Sequence, residues 1–334
     1  MAFIACGTWF DPSLGGGNSG GSGGGGGGGG DLTTWTAVAN STFDRSIGDI
    51  AYGNNRFVAG GSRGRMAYST NNGVTWTAVS DSTFGTTEII AIAHGNNRFV
   101  AVGRSGTMAY SDANGVTWTA VSNTTFGASS VIHAVAYGNG RFVAVGDSGT
   151  MAYSSDNGVT WTAVSDSTFG TTGIIAIAYA NNRWVAVGNS GKMAYSADNG
   201  ETWTAVANST FGTTLINKVA YGNNRFVAVG DYGKMAYSTD NGATWTAVPA
   251  EHNGGFGTDP NASRILAIAY GNNRWVAVGA IGKMAYSSDG VNWTAVPAAN
   301  NGGFGTSFAI TAIAYGNNRF VTVGTNSGMA YADW

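Results

Sequence analysis

One cysteine in 334 residues excludes a disulfide framework and any cluster of cysteine ligands for a metal. Charge is nearly as scarce. Asp, Glu, Lys and Arg make up 10% of the chain, where an ordinary soluble domain carries about 25%. With a net charge of −2 there is no polybasic character of the kind that holds nucleic acid or an anionic membrane. No apolar run approaches the roughly 18 residues of a membrane helix; the longest, such as Ile174–Ala180, have the length of a core strand. The three histidines, His94, His133 and His252, show neither i, i+4 nor His-x-Glu spacing, so no metal or cofactor is expected.

What is present is apolar and glycine-rich. A hydrophobic content of 43% and 12% aromatics are too high for an intrinsically disordered chain. Of the 54 glycines, fourteen lie in the first thirty residues, mostly in the run Gly15 to Gly30. Such a stretch has no side chains to bury and reads as a flexible tether over residues 1–30. The other forty recur at fixed places in residues 31–334, as turn positions do.

The recurrence has a period of 41–43 residues over most of the chain, with one 48-residue step. Trp-Thr-Ala-Val begins at Trp35, Trp76, Trp118, Trp161, Trp203, Trp245 and Trp293. Asn-Asn-Arg, once Asn-Gly-Arg, ends at Arg56, Arg98, Arg141, Arg183, Arg225, Arg274 and Arg319, and Met-Ala-Tyr recurs from Met66 to Met329. One unit, residues 88–129, contains four strand-like segments: Ile89 to Ala93, Arg98 to Val102, Met108 to Ser111 and Trp118 to Val121. The second is apolar on both faces and must be covered on both sides. These features predict an all-β fold, a seven-bladed β-propeller of four-stranded blades over residues 31–334. The first Trp-Thr-Ala-Val is a fourth strand with no first three before it, and the last unit lacks its fourth. An N-terminal strand completing the C-terminal blade is therefore expected, which removes an open sheet edge.

The turn between the third and fourth strands carries the most specific motif. Ser154 to Trp161, with Asp156, resembles the Asp-box, or bacterial neuraminidase repeat, of pattern Ser-x-Asp-x-Gly-x-Thr-Trp. Ser196 to Trp203, with Asp198, and Ser238 to Trp245, with Asp240, fit fully. Asn71 takes the Asp place before Trp76, Ala113 takes it before Trp118, and the box with Asp289 before Trp293 is one residue shorter. Short Asp and Asn side chains accept bonds from turn amides, Gly supplies positive φ and Trp packs beneath. A structural role is expected for these residues, since one carboxylate per turn is too few hard ligands for calcium.

Asp-box propellers include sialidases. That resemblance implies three arginines on the substrate carboxylate, a Tyr-Glu nucleophile pair and an acidic proton donor, none of them repeat residues. Seven of the twelve arginines here belong to Asn-Asn-Arg, expected on the Asp-box side. Glu88, Tyr232 and Arg63 lie outside the repeat but on blades that are not all neighbours, so no catalytic residue is assigned.

Positions that differ between matching units are those the fold does not dictate. They fall before the first strand (Glu88, Arg264), along it (Asp49, His133, Asn217, Lys218, Thr311) and in the turn after the second strand (Arg63, Arg104, Asp147, Asp231, Tyr232, Ile281). The innermost strand of a propeller lines the channel, and the two sets of loops share the face opposite the Asp-boxes, where two longer loops, Pro249 to Arg264 and Pro297 to Phe308, are also expected. Arg63, Glu88, Arg104, His133, Asp147, Lys218, Asp231, Tyr232 and Arg264 are thus the candidate ligand-binding residues. A monomeric, non-enzymatic display or binding module for protein or glycan is the first expectation. A sialidase-like hydrolase is the second, and an assembly factor of the type found among photosystem Asp-box propellers the third.

Phe3-Ile4-Ala5-Cys6-Gly7 resembles a lipobox, although only five residues precede Cys6 and they include no basic start. The resemblance implies export, a lipid anchor at Cys6 and a cell-envelope location, with a cytoplasmic free thiol as the alternative.

Overall fold

The computed structural model describes residues 32–112, 114–259 and 262–333. These form seven four-stranded antiparallel sheets, the seven-bladed β-propeller that the repeat predicts. Blades 1 to 6 cover residues 47–78, 89–120, 132–163, 174–205, 216–247 and 265–296. Blade 7 covers 310–333, and its outer strand is Thr36–Ala37, which pairs with Tyr331 and Ala330. The expected closure is therefore present. The Gly-rich tether and Cys6 lie outside the described residues.

Each blade runs outward from an inner strand of seven residues through strands of six and, in blades 1 to 6, four residues; the outermost has two or three. Ile174–Ala180 and Arg183–Gly188 of blade 4 are buried almost throughout because neighbouring blades cover both faces. The outer strand is shorter than Trp-Thr-Ala-Val suggests. In most blades Thr and Ala alone form it, both exposed, while the Trp anchors the turn before it.

That anchor is local. The indole N–H of Trp161 donates to the Gly158 carbonyl at 3.1 Å, and Gly158 donates its N–H to Ser154 Oγ at 2.8 Å. Asp156 Oδ1 accepts from Ser154 Oγ and the Thr160 N–H, and Oδ2 accepts from Thr160 Oγ1. The carboxylate is engaged by its own turn. Burial opposes ionisation of Asp198, but the bonds from Thr202 and Ser196 outweigh it and carry its pKa down to about 2. Gly158 has φ 91°, and a Cβ there would lie 2.8 Å from Val100 of the preceding blade. Conformation and close approach both demand glycine.

Blades are clasped at this end. The Asn-Asn loops place both asparagines at positive φ, as two-residue hairpins require (Asn96 at 46°, Asn97 at 59°). The following arginine stacks on the Met-Ala-Tyr tyrosine of its own blade and reaches the next blade's turn. Arg141 lies 4.1 Å from the Tyr153 ring centroid and donates to the Asn199 carbonyl at 2.9 Å. Arg319 does the same from blade 7 to Asn72 of blade 1, which closes the ring a second time.

Around the channel mouth at this end, each inner strand contributes one aromatic residue that lies over the preceding blade. A Cβ on Gly222 would fall 2.1 Å from Tyr270. Blade 4 has Ala180 at that place. Tyr221 opposite it has turned to 63° against Phe226 and takes its bond from Asn181 of blade 4, while Tyr179, Tyr270 and Tyr315 bond the asparagine three residues on in their own blade.

His94 holds the corresponding place in blade 2, with its Nε2 buried and without a hydrogen-bond partner. Burial lowers its pKa from 6.5 to about 4. Between those values the unfolded chain binds a proton that the folded chain refuses, so stability falls as pH drops from 6.5 towards 4. His94→Tyr removes that loss and offers a phenol to Asn97. We expect it to raise Tm more at pH 5 than at pH 7.5, as thermal denaturation at the two values will show.

Candidate functional site

The opposite face is built from three recurring pieces. In every blade the inner strand begins with a β-bulge, its second residue left without a partner. Bulges re-aim side chains at barrel rims and beside binding sites. The second piece is the turn after the second strand, a single turn of 3-10 helix in five blades, as at Asp147–Gly149 and Asp231–Gly233. The third is the connection entering from the previous blade. A buried hydroxyl latches it to that blade's turn: Ser167 Oγ donates to the Gly149 carbonyl at 2.7 Å, and Ser209 Oγ to Gly191 at 2.6 Å.

The two longer loops use the same latch. Asn253 and Asn301, both buried, donate to the carbonyls of Gly233 and Gly282. Part of each loop then runs against the next outer strand, where Trp293 N–H donates to His252 and Trp35 N–H to Asn300. To that extent the two loops expected on this face are scaffold.

Bulge and turn bring several of the candidate residues into contact. His133, the bulged residue of blade 3, has its Nε2 2.8 Å from Asp147 Oδ1, and Asp147 Oδ2 accepts the Val131 N–H. Burial lowers the His133 pKa, Asp147 opposes that, and the charge of Arg104 reinforces it. Arg104 in turn holds Glu88 at 2.7 Å. Glu88 with Arg104, and His133 with Asp147, are therefore two polar pairs, on blades 2 and 3.

A second group spans blades 5 and 6. Asp231 Oδ1 accepts from Arg264 Nε at 3.0 Å and from Asn217 Nδ2 at 2.8 Å. Asn217, the bulged residue, also donates to the Ile265 carbonyl of blade 6. Thr311 likewise donates to Ile47 of blade 1, and Asp49 accepts the Ile92 N–H of blade 2. These inner-strand positions, variable by sequence, brace one blade against the next.

Lys218 is placed differently from the other candidates. Only 3% exposed, it is buried in the inner strand and does not belong to the outer surface of this face. Arg63 and Tyr232 sit at turn tips on blades 1 and 5, and Tyr232 is 44% exposed. The Glu88, Tyr232 and Arg63 trio is thus spread over separate blades, with Glu88 held by Arg104. Among the described residues no group of three or more His, Cys, Asp or Glu could hold a metal ion. None of their helices is long and apolar enough to cross a membrane.

A family model described as the DUF6242 beta propeller domain matches residues 84–300. No curated protein matches the chain by sequence. Among solved structures, YCF48 from Cyanidioschyzon merolae is similar with a TM-score of 0.68 and 16% identity, over 90% of this chain and 98% of that one. YCF48 bound to D1 peptide gives 0.69 and 16% over 91% and 98%. The Niastella koreensis GH74 enzyme gives 0.59 and 19% over 86% of this chain and 43% of its own. At these identities the likeness is one of fold.

Proposed function

The chain belongs to the DUF6242 beta propeller domain family, and on that premise we propose that it is a non-enzymatic binding module whose variable face holds another protein. The observation that carries this reading is the contrast between its two ends. At the Asn-Asn-Arg end nearly the same residues recur seven times and bond each other. At the other end, unlike residues (Arg63, Arg104, Asp231 and Tyr232) stand on one recurring frame of bulge, turn and latch. A propeller of the same fold, YCF48, has been solved with a D1 peptide, which favours a peptide or protein over a glycan as the partner. The assembly-factor reading is included in this proposal.

The hydrolase reading finds less support. Most glycoside hydrolases use two carboxyl groups about 5 to 9.5 Å apart, and sialidases, with a Tyr nucleophile in place of one, still need a carboxyl group free to give a proton. Here the acids of the candidate set are already engaged, Glu88 with Arg104, Asp147 with His133 and Asp231 with Arg264. The GH74 likeness keeps this as the second reading. Turnover of a fluorogenic sialoside, abolished by Glu88→Ala, would establish it and displace the first.

For the binding reading, the full chain should be compared with a variant in which Arg63, Arg104, Asp231 and Tyr232 are all Ala. We expect the variant to lose its partner in pull-down and calorimetry while remaining folded. Unchanged binding to every partner found would end the proposal. Display at a cell surface through Cys6 is part of the same proposal, and Cys6→Ser should then release the protein from the membrane fraction.

A further inference from the structure

The tip of the turn after the second strand is left-handed in all seven blades. Four blades place a residue there that tolerates it, namely Ser105, Ser148, Ser190 and Asn326, with φ between 53° and 56°. Blades 5 and 6 instead carry Tyr232 at φ 59° and Ile281 at φ 49°. A β-branched residue at positive φ is a strained choice. The fold does not ask for either side chain, since Ser makes the same turn three times in this chain.

The next blade repeats the substitution. Two residues before the inner strand stand Thr87, Ser130, Thr172, Thr214 and Ser263, but before blade 7 the residue is Phe308, 38% exposed. The three lie in sequence around the ring. The Tyr232 turn packs on the inner strand of blade 6, and the Ile281 turn packs on that of blade 7, which Phe308 precedes. Polar tips have been exchanged for apolar ones over one sector only.

Basic residues run through the same sector and beyond it. Two residues past the tip, blades 2 and 3 have Thr107 and Thr150, whereas blade 1 has Arg65 and blades 4, 5 and 6 have Lys192, Lys234 and Lys283. Each of the three lysines donates to a neutral carbonyl, Lys192 to Phe169 at 2.9 Å. The two in the apolar sector, Lys234 and Lys283, reach Phe211 at 2.9 Å and Phe256 at 2.7 Å. Neither belongs to any of the ion pairs found among the described residues. The sector thus presents apolar side chains beside cations that lack a carboxylate.

We propose that Tyr232, Ile281 and Phe308, flanked by Lys234 and Lys283, form a docking surface for an acidic peptide segment bearing aromatic or aliphatic side chains. The apolar tips take the partner's apolar groups and the lysines take its carboxylates. This deepens the binding reading above and rests on it, naming the sector and the partner's chemistry.

The native repeat supplies the variants that test it. Tyr232→Ser with Ile281→Ser installs what three other blades already carry, so Tm should hold or rise. Selection of a displayed random peptide library on the immobilised full chain should enrich sequences that combine Glu or Asp with Phe, Leu or Tyr. The Ser variant should bind the enriched peptides roughly tenfold more weakly or worse, and Lys234→Thr with Lys283→Thr should weaken them and flatten their salt dependence. Enrichment of basic peptides, or of none, overturns the proposal; so does a marked fall in Tm of the Ser variant, which would make both side chains structural. Co-sedimentation with phosphatidylglycerol vesicles in place of peptide binding assigns the sector to a membrane and also overturns it. If binding is lost on changing Arg63 and Arg104 but not these residues, this sector is wrong while the broader reading stands.

Discussion

Trp35→Ala should do more than lower Tm: the protein should also associate as its concentration is raised. Trp35 is 4% exposed, its indole N–H bonds the Leu32 carbonyl at 3.1 Å, and its ring centroid lies 6.5 Å from that of Phe320. Truncating a buried Trp costs about 3–5 kcal/mol. The equivalent Trp161→Ala should cost a similar amount, but its outer strand is joined to its own blade through the adjacent turn. Thr36–Ala37 arrives from the other end of the chain and has only two paired residues. Besides Trp35, it is held by the Val38 N–H bond to Met329 and by Ser41 Oγ on Ser327. Once it detaches, Met329–Asp333 becomes a bare edge, and bare edges pair with other chains. Thermal denaturation with sedimentation analysis of both variants separates the effects. If Trp35→Ala stays monomeric and matches Trp161→Ala, closure does not depend on this strand.

The fold was legible because its determinants repeat. Asn-Asn marks a hairpin, Gly in the Ser-x-Asp-x-Gly turn marks positive φ, and an unmatched Trp-Thr-Ala-Val at the start shows where the ring closes. The bulge was not legible for the converse reason. Its residue is Gly48, Ile90, His133, Ile175, Asn217, Leu266 or Thr311, so no residue type announces it. It arises from how the inner strand meets the second, a matter of register to which the bulged residue itself gives no clue.

The bulge also explains how much of the site could be read. Variability alone picked out Glu88, Arg104, His133, Asp147, Asp231 and Arg264, and the structure pairs them all. It could not say which side chains would meet. His133 with Asp147 and Asn217 with Asp231 are both fourteen residues apart, joining the bulge to the first turn residue of the same blade. Phe308 stands where Thr87 and Ser263 stand before other inner strands, a contrast that the sequence carries without the structure. Lys218, picked out by variation along an inner strand, lies within that strand at 3% exposure and not at a turn tip.

Gly279→Ala should be among the most destabilising single-methyl additions in this chain. The second strand of every blade ends in glycine, and at Gly279 a Cβ would lie 2.0 Å from the Arg264 carbonyl oxygen. The same clash recurs at 2.1 Å between Gly103 and Glu88 and at 2.3 Å between Gly230 and Leu215. Conformation is not the reason, since Gly279 is extended at φ −168°, which any residue adopts. The reason is space beside a backbone atom that has no rotamer to change. Relief requires the bulge to open, which takes the Ala280 N–H off Arg264 and disturbs the Arg264–Asp231 pair. Overpacking usually costs about 1–3 kcal/mol, and with backbone as the obstacle we expect the upper end or beyond. Gly212→Ala is the control: its φ is 62° but nothing lies within 4 Å of the new methyl, so it should cost only about 1 kcal/mol. Chemical denaturation of the two variants compares crowding with conformation directly, and equal losses would reject crowding. The bulges that aim His133 and Asn217 across this face have the equivalent glycines Gly146 and Gly230 beside them, with a Cβ 2.4 and 2.3 Å from backbone oxygen, and in blade 6 Gly279→Ala should weaken partner binding by moving the Ile281 turn as well as by lowering stability.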